Sequence, residues 1–98
     1  MLFLGIDVGT TSLKAGLFDE MGTARAIAAE EYKLITPTAD EVEFDAEDYW
    51  RICQRVVGRA LGQVNRRQVR AISVCSQGET IIPVDSQGNP PPARARLA

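Results

Sequence analysis

Apolar residues at the start of this chain gather into two short blocks, Leu2 to Val8 closed by Gly9, and Ala15 to Phe18 running into Asp19-Glu20-Met21-Gly22. Blocks this short, bounded by turn-forming residues, predict β-strands. After the second turn, Thr23 to Lys33 carries Ile27, Tyr32 and several alanines. Alanine favours helix on propensity, but the brevity of the stretch and its flanking turn predict a third strand, giving three antiparallel strands in succession. Thr36 to Glu43, with Pro37, reads as a loop. The period then changes. Tyr49, Trp50, Cys53, Val56, Val57, Ala60, Leu61 and Val64 recur as one buried helical stripe, with Arg51, Gln54, Arg55 and Arg59 on the opposite face. Asp45 as N-cap, with Glu47 and Asp48 in the first turn, sets the start near Ala46. Gly58 and Gly62 each weaken a helix by about 1 kcal/mol against alanine, which close packing on a sheet would explain. Val69 to Cys75 predicts a strand that, after a crossover helix, lies parallel to a neighbour. Ile81 to Val84 is a further strand candidate, Asp85 to Pro90 has turn chemistry, and an irregular tail is expected over 91–98.

With 98 residues, 45% of them apolar and 24% charged, the chain is globular in composition and holds one domain at most. A net charge of −2 with dispersed basic residues does not suggest nucleic acid as a partner. The Arg66, Arg67, Arg70 cluster is read as offsetting the carbonyl end of the preceding helix. Cys53 and Cys75 form no framework or C-x-x-C pair and are expected to be reduced and buried. The apolar start is interrupted by Asp7 and has no basic leader, so neither signal peptide nor membrane span is read there and a cytoplasmic location is expected. The absence of histidine excludes a histidine metal site or a Ser-His-Asp triad within this chain.

The chemistry concentrates in Gly5-Ile6-Asp7-Val8-Gly9-Thr10-Thr11-Ser12-Leu13-Lys14. Small and hydroxylated residues occupy a tight connection between two strands, where Gly9 permits close approach and Thr10, Thr11 and Ser12 offer amides and hydroxyls to phosphate oxygens. Lys14 adds a cation, and Asp7 offers a hard oxygen to a Mg²⁺. Neither a P-loop nor a G-x-G-x-x-G spacing is present. Taken on composition alone, the stretch reads more readily as an ordinary hairpin turn that Asp7 caps, since short Gly/Thr/Ser turns are common.

That stretch, followed by Phe18-Asp19, resembles the first phosphate motif of the FGGY carbohydrate kinases, relatives of the actin-like ATPases. Val42-Glu43-Phe44-Asp45 with Trp50, Ala71-Ile72 with Ser73, and Ser76-Gln77-Gly78-Glu79-Thr80 before Val84-Asp85 and Gly88 agree in order and spacing, so the resemblance reaches to about Pro90. It implies an α/β, ribonuclease H-like/actin-like ATPase fold, truncated, with antiparallel hairpin strands and then a βα crossover unit in a mixed sheet. Residues 1–90 would be the N-terminal part of the first kinase domain. It assigns ATP phosphates to Gly9, Thr10, Thr11, Ser12 and Lys14, metal to Asp7, and implies ATP and Mg²⁺ as cofactors and a sugar or polyol as substrate. Glu43, Asp45 and Trp50 are read as structural, in the cap and core.

Gln77, Gly78 and Glu79 follow a strand, where open α/β sheets place ligand contacts, and Glu79 and Gln77 have the chemistry to meet polyol hydroxyls. The glycerol-kinase branch carries Arg-Glu-Thr at the corresponding place and the xylulose-kinase branch Met-His. Gly78-Glu79-Thr80 matches neither fully, and Gly78 leaves room for a larger polyol or ketose than glycerol. No catalytic base is assigned within the chain, since the family's lies in a much later segment. The piece alone is therefore expected to be inactive, and self-association through exposed sheet edges is expected. A non-catalytic remnant or assembly module of the same fold, and another actin-like ATPase, are the competing readings.

Overall fold

Val8 and Leu13 face each other where the first hairpin closes, and the sheet grows outward from that hairpin. The computed structural model describes residues 1–36, 38–39, 43–78, 80–90 and 95–96. Strands β1 (Leu2–Val8), β2 (Ser12–Phe18) and β3 (Ala24–Glu31) form the expected antiparallel succession. Helix α1 spans Ala46–Leu61. Strand β5 (Val69–Ser76) returns parallel to β1, giving the order β3-β2-β1-β5. A two-residue strand β4 (Glu43–Phe44) pairs antiparallel with β6 (Ala95–Arg96), so the tail differs from the irregular expectation at those two residues.

The period of two decides which face is buried. Leu2 and Leu4 on β1, and Leu13, Ala15 and Leu17 on β2, are buried on the face that α1 covers. Ala26 and Ala28 are the small residues of β3 on that face, opposite Leu17 and Ala15 in the register. The helix buries Ile52, Val56 and Ala60, one per turn. This corrects the predicted stripe near its start: Ile52 belongs to it, and Trp50, about 200° around the helix from Ile52, is 62% exposed. Trp50 is not core. Asp45 does cap α1, its Oδ1 accepting from the Glu47 amide at 3.0 Å. Tyr32, Phe44 and Tyr49 close one end of the core, with ring centroids 4.5 to 5.3 Å apart.

Other expectations are revised. A Cβ on Gly58 would meet nothing within 4 Å and Gly62 is the C-cap, so packing on the sheet explains neither. Arg66 and Arg67 lie in a one-turn 3₁₀ helix and Arg70 in β5, beyond the last turn of α1, where Arg59 is the basic residue. Ile81 makes a single bridge and Ile82 to Val84 form no strand, because Pro83 removes an amide from so short a segment. The turn at Asp85 is as expected, and the loop at Asp19 has the same build. In each the aspartate Oδ1 accepts two downstream amides, and a glycine with φ of 81° turns the chain, Gly22 in one and Gly88 in the other.

Candidate functional site

Two residues, Thr10 and Thr11, form the tip of the β1–β2 turn. The Gly9 amide donates to the Ser12 carbonyl at 3.0 Å, and a Cβ on Gly9 would sit 2.9 Å from that oxygen. Glycine is therefore required by the turn's own closure. The Thr11 carbonyl accepts from the Tyr32 amide at 2.8 Å, which ties the tip to the chain leaving β3. Both threonines are exposed, and among the described residues their amides find no acceptor within the chain. Two donors are thus left unengaged among the described residues, on a turn that is hydrogen-bonded on both sides.

Asp7 and Lys14 stand directly opposite each other in the β1–β2 register, both exposed, on the face away from α1. On the other side of Asp7 lies Cys75 of β5, whose thiol donates to Asp7 Oδ1 at 3.5 Å. That hydrogen bond, which needs the proton, pushes the thiol up from its ordinary value. The exposed Cys75 and half-buried Cys53, both free, correct the expectation of buried thiols. Asp7 and Lys14 thus line a groove of about 330 Å³ whose wall is completed by Gly16, Phe18, Ser73 and Cys75.

The segment after β5 reaches the same end of the sheet. The Gln77 amide donates to the Val8 carbonyl at 3.0 Å, which sets this segment beside the start of the turn. Its side chain, however, goes to the helix side, where Nε2 donates to Tyr49 Oη at 3.3 Å. Burial raises the Tyr49 phenol above its ordinary value, so it stays protonated at neutral pH. A second groove of about 410 Å³ opens there, lined by Val8, Tyr49, Trp50, Gln77 and Thr80 among others. Gly78 is exposed and a Cβ there would meet nothing within 4 Å. Glu79 lies outside the described residues.

The structure therefore brings Asp7, Thr10, Thr11 and Lys14 to one end of the sheet, and sets Gln77 beside that end but turned toward α1. Sequence reasoning missed Tyr49, Trp50 and Cys75 as neighbours of these residues. For Cys75 the signal was the β1–β5 register, which no local pattern carries. For Trp50 it was the omission of Ile52, which rotates the stripe.

Among the described residues no three His, Cys, Asp or Glu side chains converge on a metal position. A single exposed carboxylate suits Mg²⁺, which keeps several waters and draws its other ligands from phosphates. Asp7 fits such a group. No described helix is long and apolar enough to cross a membrane.

A family model described as the FGGY family of carbohydrate kinases, N-terminal domain, matches residues 2–93. Glycerol kinase of Beutenbergia cavernae is 42% identical over 81 residues, 81% of this chain and 16% of that protein. A probable L-xylulose kinase of Haemophilus influenzae is 33% identical over 90 residues, 90% of this chain and 19% of that protein. The crystal structure of ligand-bound xylulose kinase from Lactobacillus acidophilus superposes with a TM-score of 0.87 at 26% identity, covering 97% of this chain and 19% of that one. The chain thus spans less than a fifth of the length of these relatives.

Proposed function

Because the chain belongs to the FGGY family of carbohydrate kinases, we propose that it is the phosphate-gripping N-terminal part of an ATP-dependent kinase acting on a sugar or polyol. The observation that carries this reading is the pair of free amides at Thr10 and Thr11, set beside the register-matched Asp7 and Lys14. Amides fixed in a rigid turn stabilise an anion without reorganising, and Lys14 adds charge on the same face. Asp7 would hold Mg²⁺ through one oxygen and its waters, and the ion would neutralise the phosphate charge that builds up in transfer. The hydroxyls of Thr10, Thr11 and Ser12 are further donors.

Gln77 and Gly78, with Glu79 next in sequence, are proposed to meet the acceptor's hydroxyls. The open space around Gly78 favours an acceptor larger than glycerol. Phosphoryl transfer also requires a group to take the proton of the attacking hydroxyl. None of the residues assigned here has that role, so the 98-residue chain binds without turning over.

Calorimetric titration of Mg-ATP into the chain tests the reading. Saturable binding is expected, and Asp7→Asn should weaken it by about tenfold or more, the value of one charge-assisted contact. The loss should disappear when Mg²⁺ is chelated, since the aspartate acts through the ion. Absence of binding to the folded chain, or equal binding by Asp7→Asn with Mg²⁺ present, would overturn the assignment.

A further inference from the structure

Gln77 is held more firmly than a glutamine just past a strand ordinarily is. Its backbone amide donates to the Val8 carbonyl of β1 at 3.0 Å, and its side-chain Nε2 donates to Tyr49 Oη of α1 at 3.3 Å. The residue is tied to the sheet at one end and to the helix at the other. Tyr49 is itself well anchored. Its ring stands edge-on to Tyr32 at 5.3 Å and to Phe44 at 4.5 Å, and both of those rings are buried. Edge-to-face packing fixes a ring's orientation as well as its place, so the phenol oxygen is delivered to one spot beside Gln77. Burial keeps that phenol protonated at neutral pH, and Oη stays a neutral partner for the amide.

A carboxamide has two ends of opposite character, a donating NH₂ and an accepting oxygen. With Nε2 committed to Tyr49, Oε1 is the end left for a ligand, and among the described residues no donor meets it. We propose that Tyr49 is a positioning residue for the acceptor side: it fixes the Gln77 amide with Oε1 offered to the groove, so that what binds there is selected for hydroxyl donors. This role rests on the reading of the chain as part of a carbohydrate kinase, and adds the chemistry that the acceptor must present.

The groove of about 410 Å³ beside Tyr49 gives that oxygen its weight. Val8, Leu13, Cys53 and Ile82 supply apolar wall, and the hydroxyls of Ser76 and Thr80 rotate to suit either kind of partner. One fixed acceptor among such walls is the kind of group that sets a pocket's specificity. A ligand hydroxyl that donates to Oε1 is satisfied, whereas an ether oxygen placed there meets another lone pair and is desolvated without a partner. A freely turning glutamine would swing its NH₂ toward the ether and discriminate less. Tyr49 removes that second option.

Trp50, the chain's single tryptophan, lines the same groove, so its fluorescence reads occupancy. Titrated into the chain, xylitol, whose every oxygen carries a donor, should give a saturable change, and triethylene glycol dimethyl ether, whose oxygens only accept, should give none. Tyr49→Phe keeps the ring packed and removes only its oxygen. It should weaken xylitol by about three- to tenfold, the value of one neutral hydrogen bond, admit the polyether, and leave Mg-ATP affinity by calorimetry unchanged. NMR reads the cause. In the parent, a Gln77 Nε2 proton should lie away from the shift of a free glutamine and exchange slowly, and in Tyr49→Phe it should revert while the backbone amide spectrum stays that of the folded chain. Equal xylitol binding by parent and Tyr49→Phe, polyether binding as tight as xylitol in the parent, or no xylitol response in a parent that binds Mg-ATP would each overturn the role of Tyr49 and leave the phosphate site standing. Xylitol and Mg-ATP affinities lost together would also overturn it, since Tyr49 would then only support the fold. Xylitol selectivity that depends on Tyr49 in a chain that fails to bind Mg-ATP would uphold the role of Tyr49 and remove the phosphate assignment instead.

Discussion

Gly9 and Gly16 face similar crowding on paper and should respond differently to the same substitution. A Cβ on Gly9 meets the Ser12 carbonyl oxygen at 2.9 Å, which is backbone in a closed turn and has nowhere to go. A Cβ on Gly16 meets the Phe18 ring at 2.7 Å, but that ring is 37% exposed and can swing into solvent. Gly9→Ala should therefore cost about 1–3 kcal/mol in urea unfolding, the scale of a forced backbone shift, and Gly16→Ala clearly less. Equal losses would mean that Phe18 is as fixed as the turn. At this scale much was legible: Asp7, Gly9 and Lys14 could be picked out because a hairpin brings residues close in sequence into register. The purpose of Gly9 was read less well, since the contact it avoids is internal. Gly58 had no legible purpose, and nothing in the structure supplies one.

Helix α1 is seated on the sheet from two sides, by its apolar stripe underneath and by arginines along its flank. Arg55 binds Glu30 of β3 through two hydrogen bonds, and Arg59 donates to the Ala29 carbonyl at 3.0 Å while lying 3.6 Å from Glu30. The Arg55 hydrogen bond, above all, holds the Glu30 carboxyl below its usual range, although partial burial opposes it. A carboxyl depressed in the folded state stabilises the fold fully above its unfolded value, and that support is lost as pH falls through the lower folded value. Glu30→Gln should thus lower stability at pH 7 by a small amount, as exposed pairs do. The gap from the parent should close between about pH 5 and pH 3 in urea titrations. A gap that is constant with pH would show that packing of the side chain, and not its charge, is what counts. The elements themselves were legible from period and caps. The flank contacts were not, because residues 25 positions apart meet only once the helix is laid across β3, and the small residues Ala26 and Ala28 beneath it give no sign of this in a propensity reading.

Across the whole molecule, the core is lopsided, and this should be visible as a gradient of stability. Helix α1 covers β2 and β3 and leaves β5 bare, so the strand that brings Gln77 to the candidate site is also the one with least buried around it. That asymmetry was not legible in the sequence, where Val69 to Cys75 looks as apolar as Leu2 to Val8; apolar composition announces a strand but not which strands α1 reaches. Leu17, with no exposed surface, should cost about 2–5 kcal/mol when cut to alanine. A chain of this size has only about 5–15 kcal/mol in all, so Leu17→Ala should be largely unfolded near its melting range while Ile72→Ala barely shifts the midpoint. Hydrogen exchange at dilution should rank the strands likewise, with amides of β1 and β2 slowest and outward amides of β5 fastest. Exchange that is uniform across the sheet would contradict both the gradient and its cause.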